Sequence, residues 1–167
     1  KELCDAKSNT TRSMNIIHFN DVYNLDVAYK QEPRGGARKF ASRIRQYKQD
    51  LAAKSQCKPM TVFSGDFVGP SLMSSVTKGA HLIDALNAIG TDYAAFGNHE
   101  LDYGYKSLKA RLAGIDDDVA DQTMGTIDYP VSETQWISTN MTEVATGLPM
   151  GGSAVARHAL VDWGGKW

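Results

Sequence analysis

Several things are scarce or missing in this sequence, and each absence excludes a class of function. No apolar run approaches the ~20 residues that a membrane-crossing helix needs. The 18 Lys and Arg residues nearly balance the 19 Asp and Glu residues, a net charge of -1. That balance offers no electrostatic footprint for a nucleic-acid polymer or an acidic lipid surface. Residues 1–15 are polar, so no signal peptide is expected there, and Lys1 is not a natural start. The chain therefore reads as processed or as a piece of a longer protein, with Met14 as a possible native start. Nothing in the sequence names a compartment. Cysteine is rare. Cys4 and Cys57 have no metal-site spacing, and two free thiols are the expectation. Neither a Walker phosphate loop nor G-x-G-x-x-G occurs, which removes the common nucleotide cradles. Two triplets, Asn9-Thr10-Thr11 and Asn140-Met141-Thr142, fit a glycosylation sequon, a pattern that chance supplies often.

What remains is the composition of a globular domain, 42% hydrophobic and 22% charged over 167 residues, enough for one core. Residues 1–13 form a polar N-terminal segment. Residues 14–20 are a β-branched and aromatic run, the first expected strand. A loop with Pro33, Gly35 and Gly36 follows, then a helix over about residues 37–54. There Phe40, Ile44, Tyr47 and Leu51 recur at spacings of three and four, while Arg38, Arg43 and Arg45 lie between them as a solvated face. Pro59 precedes a second strand at residues 60–63. Another loop carries Gly69-Pro70. A second helix is expected over residues 79–89, with Gly90 as its stop. A third strand covers residues 93–96, a short helix residues 105–112, and a fourth strand residues 135–138. Residues 116–125 read as an acidic loop, and residues 156–163 as a possible last strand. Alternating strands and helices argue for an α/β fold with a mainly parallel sheet.

In such sheets ligands collect outside the carboxyl ends of the strands. Asp21, Asp66 and the pair Asn98-His99 each follow a strand directly, so a parallel sheet carries all three to one edge. The densest segment is Gly97-Asn98-His99-Glu100-Leu101-Asp102. Asp21, Asp66 and Asn98 are hard oxygen donors and His99 adds a nitrogen, a set that suits Mn, Mg, Zn or Fe. A carboxylate between two cations can build a two-metal centre that activates water and clamps a phosphoryl oxygen. Each residue also has a plainer reading. An Asp after a strand often caps a turn or helix, Asn98 can hold a left-handed turn, and His99 can be structural. His18, inside the first strand, reads as a core histidine. His99-Glu100 is not the start of a zincin motif, because Tyr103 stands where that motif needs His.

Taken together, Ile16-Ile17-His18-Phe19-Asn20-Asp21, Ser64-Gly65-Asp66 and Gly97-Asn98-His99-Glu100-x-Asp102 resemble the calcineurin-like metallophosphoesterases. The likeness is greatest to the branch of 5′-nucleotidases and 2′,3′-cyclic phosphodiesterases. Gly35-Gly36, Trp136-Ile137-Ser138-Thr139-Asn140 and Thr146-Gly147-Leu148-Pro149 fit as well, and the likeness runs from Met14 to the end. It implies a metallophosphoesterase-type α/β/β/α sandwich. It also implies a centre of two divalent metal ions (Mn, Zn, Mg or Fe) with a metal-bound hydroxide as nucleophile. Asp21 would bind one metal, Asp66 bridge both, and Asn98 bind the second. His99 would act on the phosphate, with Asp102 orienting its ring. The implied activity is metal-dependent hydrolysis of a phosphate ester, a 5′-nucleotidase-like step in nucleotide catabolism.

Two departures qualify the resemblance. The family has Asp-x-His in its first motif, and here it is Asp21-Val22-Tyr23. Tyr23 is a candidate ligand, a bystander or a packing aromatic. The family also draws further ligands from later Gly-His-x-His motifs, whereas the only histidine after His99 is His158. Residues 14–167 are thus expected to be the N-terminal portion of the domain. The remaining half would lie elsewhere in the full protein, and this portion would be weakly active or inactive alone. The alternative is a non-catalytic member, keeping the fold as a ligand-binding or interaction module.

Overall fold

The computed structural model describes residues 14–26, 36–54, 57–115 and 129–162. The expected polar N-terminal segment, most of the Pro33–Gly36 loop, the acidic loop at residues 116–125 and the last five residues lie outside these.

Among the described residues, five short strands form one sheet in the order β1-β2-β3-β4-β5, and every pairing is parallel. They are β1 (Ile16–Phe19), β2 (Met60–Phe63), β3 (Tyr93–Ala95), β4 (Gln135–Ile137) and β5 (Val155–Ala156). Between them run α1 (Gly36–Ala53), α2 (Leu72–Thr77), α3 (Ala80–Ile89) and α4 (Gly104–Ala113). The fold is α/β with a parallel sheet, as the alternation of periods implies.

The register explains where the core lies. Phe19, Phe63, Ala94, Trp136 and Val155 are successive partners across the five strands and form one row on one face. Four of them join Leu82, Ile83 and Leu86 of α3 and Leu108 and Leu112 of α4 in the main core, while Phe19 packs against it. Ala41 and Ile44 of α1 pack with Ile89 beside Ile17 and Phe19. Of the apolar stripe expected on α1, Ile44 and Leu51 are buried, while Phe40 and Tyr47 remain partly exposed. Phe40 still meets Phe19 edge-on, with ring centroids 5.2 Å apart. The alternate positions of the sheet are more open, apart from buried Tyr93. Ile16, His18 and Ala95 are exposed, and Met60, Val62, Ile137 and Ala156 are half-buried.

Four expectations change. His18 is not a core residue. It lies on the open face and shares a 2.7 Å hydrogen bond with Ser64 Oγ. The segment after Gly69-Pro70 is not all loop, since α2 begins there with Ser71 as its cap, the Ser71 hydroxyl accepting from the Ser74 N–H. Six residues are too few for a periodic pattern to show, and the cap was the one legible signal. The last strand is two residues long, because only Val155 and Ala156 pair with β4. Finally, Cys57 is disulfide-bonded, not a free thiol. Spacing along the chain cannot report the through-space proximity that a disulfide requires. The other cysteine, Cys4, lies outside the described residues. No helix among the described residues is long and apolar enough to cross a membrane.

Candidate active site at the carboxyl edge of the sheet

Because all the strands run in parallel, the segments after β1, β2 and β3 emerge at one edge. Asp21 follows β1, Asp66 follows β2, and Asn98-His99 follows β3, where a short 3-10 helix runs over His99–Leu101. The three segments are tied to one another by the backbone. Asp21 N–H donates to the Gly65 carbonyl at 3.1 Å, and Ser64 N–H to the Phe19 carbonyl at 3.1 Å. The His99 N–H donates to Asp66 Oδ1 at 2.9 Å.

Two glycines let the second and third segments touch. A Cβ on Gly65, at φ +93°, would lie 2.1 Å from the Gly97 nitrogen, and a Cβ on Gly97 would lie 2.2 Å from Asp66 Oδ1. Asp21 and Asp66 themselves have φ of 54° and 65°. That left-handed region is uncommon outside glycine, and Asp is among the few residues that tolerate it.

The side chains then form two groups. In the first, the Tyr23 hydroxyl donates to Asp21 Oδ1 at 2.7 Å and reaches Asp66 Oδ2 at 3.4 Å. The Asn20 amide also donates to Asp21. The phenol is pushed well above its usual range, chiefly by its hydrogen bond to Asp21, then by burial and the charge of Asp66. It is therefore a firm proton donor to both carboxylates. In the second group, His99 Nδ1 and Asp102 Oδ2 are 2.7 Å apart. That bond, first among the causes, raises the imidazole above its usual value, with help from the charges of Asp102, Asp66 and Glu100 and against partial burial. A protonated His99 with Nδ1 bonded to Asp102 leaves Nε2–H to face a ligand. The Tyr23 and His99 rings are edge-on at 6.1 Å and bring the two groups side by side.

Asp21, Tyr23 and Asp66 are thus in one cluster, and His99 with Asp102 in an adjoining one. Asn98 is exposed, one residue from the N–H that grips Asp66. For a hard divalent cation the donor chemistry fits in kind, being two carboxylates with an amide beside them. It is incomplete in number. Among the described residues, no group of three or more His, Cys, Asp or Glu side chains could hold a metal ion.

One residue that sequence reading left without a role has one here. Glu100 is 1% exposed and accepts from the Phe67 N–H at 3.0 Å and the Gly97 N–H at 2.8 Å. Its neighbours in sequence belong to the site, but the signal that finds it is burial of a charge. Beneath the site, Trp136 stacks on Phe96 at 5.0 Å and meets Phe67 at 5.2 Å. One ring thereby backs the residue after Asp66 and the residue before Gly97.

No protein-family model matches the chain. It is 26% identical over 104 residues to a 5′-nucleotidase of Bos taurus, covering 57% of this chain and 17% of that protein. Among solved structures, it is similar to the NAD nucleotidase of Haemophilus influenzae, with a TM-score of 0.63 and 16% identity over 86% of this chain. It is also similar to a 5′-nucleotidase precursor from Thermus thermophilus, with a TM-score of 0.62 and 18% identity over 90% of this chain. A calcineurin-like phosphoesterase from Bacillus subtilis, YfkN, follows with a TM-score of 0.55 and 16% identity over 79% of this chain. The chain spans 26% of the length of each of the first two and 38% of the third. In fold over most of its length, and in sequence over 104 residues, the chain is thus similar to the N-terminal part of the calcineurin-like phosphoesterases, on the 5′-nucleotidase branch.

Proposed function

We propose that this chain carries part of the centre of a metal-dependent phosphoester hydrolase that acts on nucleotides. The observation that carries the reading is the meeting of Asp21, Asp66 and the His99–Asp102 pair at one edge of a parallel sheet. The chain's relatives, a 5′-nucleotidase and an NAD nucleotidase, favour nucleotides over other phosphate esters. Two divalent cations, when bound, would supply an activated water and draw charge from the phosphoryl oxygens.

The chain's own residues have the following parts in this proposal. Asp21 would hold one cation, Asp66 would serve both, and Asn98 would hold the second. His99 faces the phosphate and donates its Nε2 proton to a phosphoryl or leaving oxygen as charge develops there. Asp102 fixes the ring and keeps it protonated. Tyr23 is a proton donor to Asp21 and Asp66 rather than a ligand, since a neutral phenol binds Mn or Zn poorly. With the donor set incomplete among the described residues, this stretch alone binds cations weakly and turns over slowly.

The test is phosphate release from a nucleoside monophosphate, measured with and without Mn²⁺. His99→Ala is expected to lower kcat about 10²–10⁴-fold, and Asp66→Asn to abolish the Mn²⁺ dependence. Hydrolysis indifferent to Mn²⁺ and to Asp66 would overturn the reading. The second reading, a non-catalytic binding module, is favoured by the Tyr23 hydroxyl set between the two carboxylates. Folded protein that takes up no metal would support it.

A further inference from the structure

Glu100 poses a question that the catalytic reading does not answer. A carboxylate taken almost wholly out of water is costly unless donors compensate it, and an apolar side chain would fill the space more cheaply. The donors here are backbone N–H groups in segments that have left the sheet. The strand ladder ends at Phe63 in β2 and Ala95 in β3, so Phe67 and Gly97 have no strand partner for their N–H groups. Glu100 Oε1 takes the first and Oε2 the second. Phe67 directly follows Asp66, and Gly97 directly precedes Asn98. Glu100 also directly follows His99, within the same short 3-10 helix.

We propose that Glu100 is the positioning residue of this site: its buried carboxylate clamps the segment of Asp66 to the segment of Asn98 and sets the distance between them. The inference rests on the proposed roles of Asp66 and Asn98. The clamp acts with the two glycine contacts. Gly65 and Gly97 permit the segments to approach, and Glu100 holds them there. Its effect reaches one bond it does not make, the 2.9 Å donation from His99 N–H to Asp66 Oδ1. That bond forms only if the two segments stay in register. A residue that merely fills space would protect Phe67 and Gly97 and leave the His99 N–H indifferent.

The experiment is residue-resolved hydrogen exchange on the metal-free protein, comparing wild type, Glu100→Gln and Leu86→Ala. Leu86→Ala is a core variant on α3 that lowers global stability and removes no hydrogen bond of the site. Glu100→Gln keeps one acceptor oxygen and turns a donor toward the other N–H. After correction for global stability, its His99 amide should exchange about tenfold faster, the loss of one charge-assisted bond. Leu86→Ala should show no such excess. A His99 amide as protected in Glu100→Gln as in wild type would overturn the proposal. Should that variant not fold, Glu100→Asp, which draws the carboxylate back by one methylene, is read in the same way. Mn²⁺ titration of the same proteins should give about 10- to 100-fold weaker binding for Glu100→Gln. Absence of Mn²⁺ binding by wild type would remove the metal reading, while the exchange result would still decide the clamp.

Discussion

At the scale of single residues, the site turns on where protons sit. The Tyr23 hydroxyl occupies the gap between Asp21 and Asp66, held by a 2.7 Å bond to one and a 3.4 Å contact to the other. A cation must displace that proton. Tyr23→Phe is therefore expected to raise Mn²⁺ affinity several-fold in a calorimetric titration, whereas weaker binding would make Tyr23 a ligand after all. His99 is the second titrating group of the site. Its value in the folded protein is raised, chiefly by the bond to Asp102. The stability this pair contributes is therefore full below the unfolded value of about 6.5 and is lost as pH rises through the higher folded value. In the metal-free protein, Asp102→Asn should bring the NMR titration of His99 down toward the ordinary value, and an unmoved titration would show that Asp102 does not hold the ring. Gly97→Ala places a Cβ 2.2 Å from Asp66 Oδ1 and should cost about 3 kcal/mol in chemical denaturation. Most of these residues were legible in the sequence because each acidic or imidazole group directly follows a β-rich run. Glu100 was not, because its partner Phe67 lies 33 positions away and only burial reveals the pairing.

At the scale of elements, the loops depend on a residue from a different strand. Trp136 in β4 is 1% exposed, stacks on Phe96, packs against Phe67 and donates its indole N–H to Ser132 Oγ at 2.8 Å. It supports from below the two segments that Glu100 ties from within. Trp136→Ala should destabilise the protein by about 3–5 kcal/mol, read from the urea midpoint, and a loss under about 1 kcal/mol would contradict this role. Long periodic elements were readable in advance. α1 was expected over residues 37–54 and runs over Gly36–Ala53, and Gly90 ends α3 at φ 73° with its N–H on the Leu86 and Asn87 carbonyls. α2 was missed because six residues with Leu72 and Met73 exposed show no buried stripe. The last strand was overestimated because an apolar run does not by itself find a neighbour to pair with.

At the scale of the whole molecule, the sheet has two unequal faces. One holds the row from Phe19 to Val155 against the helices. The other leaves Ile16, His18 and Ala95 exposed beside half-buried Met60 and Val62. Among the described residues β1 is also an edge strand. An open apolar face next to an edge favours association. Sedimentation velocity of this 167-residue chain over rising concentration should therefore show self-association that Val62→Lys suppresses, and a monomer at every concentration would contradict it. In the proposed function, the carboxyl edge of this sheet holds a cation between Asp21 and Asp66. The most direct measurement is anomalous scattering from crystals soaked in millimolar Mn²⁺. The expected result is density in contact with both carboxylates and the Tyr23 hydroxyl moved off them. Density elsewhere, or none with Tyr23 still joining the two carboxylates, would contradict it.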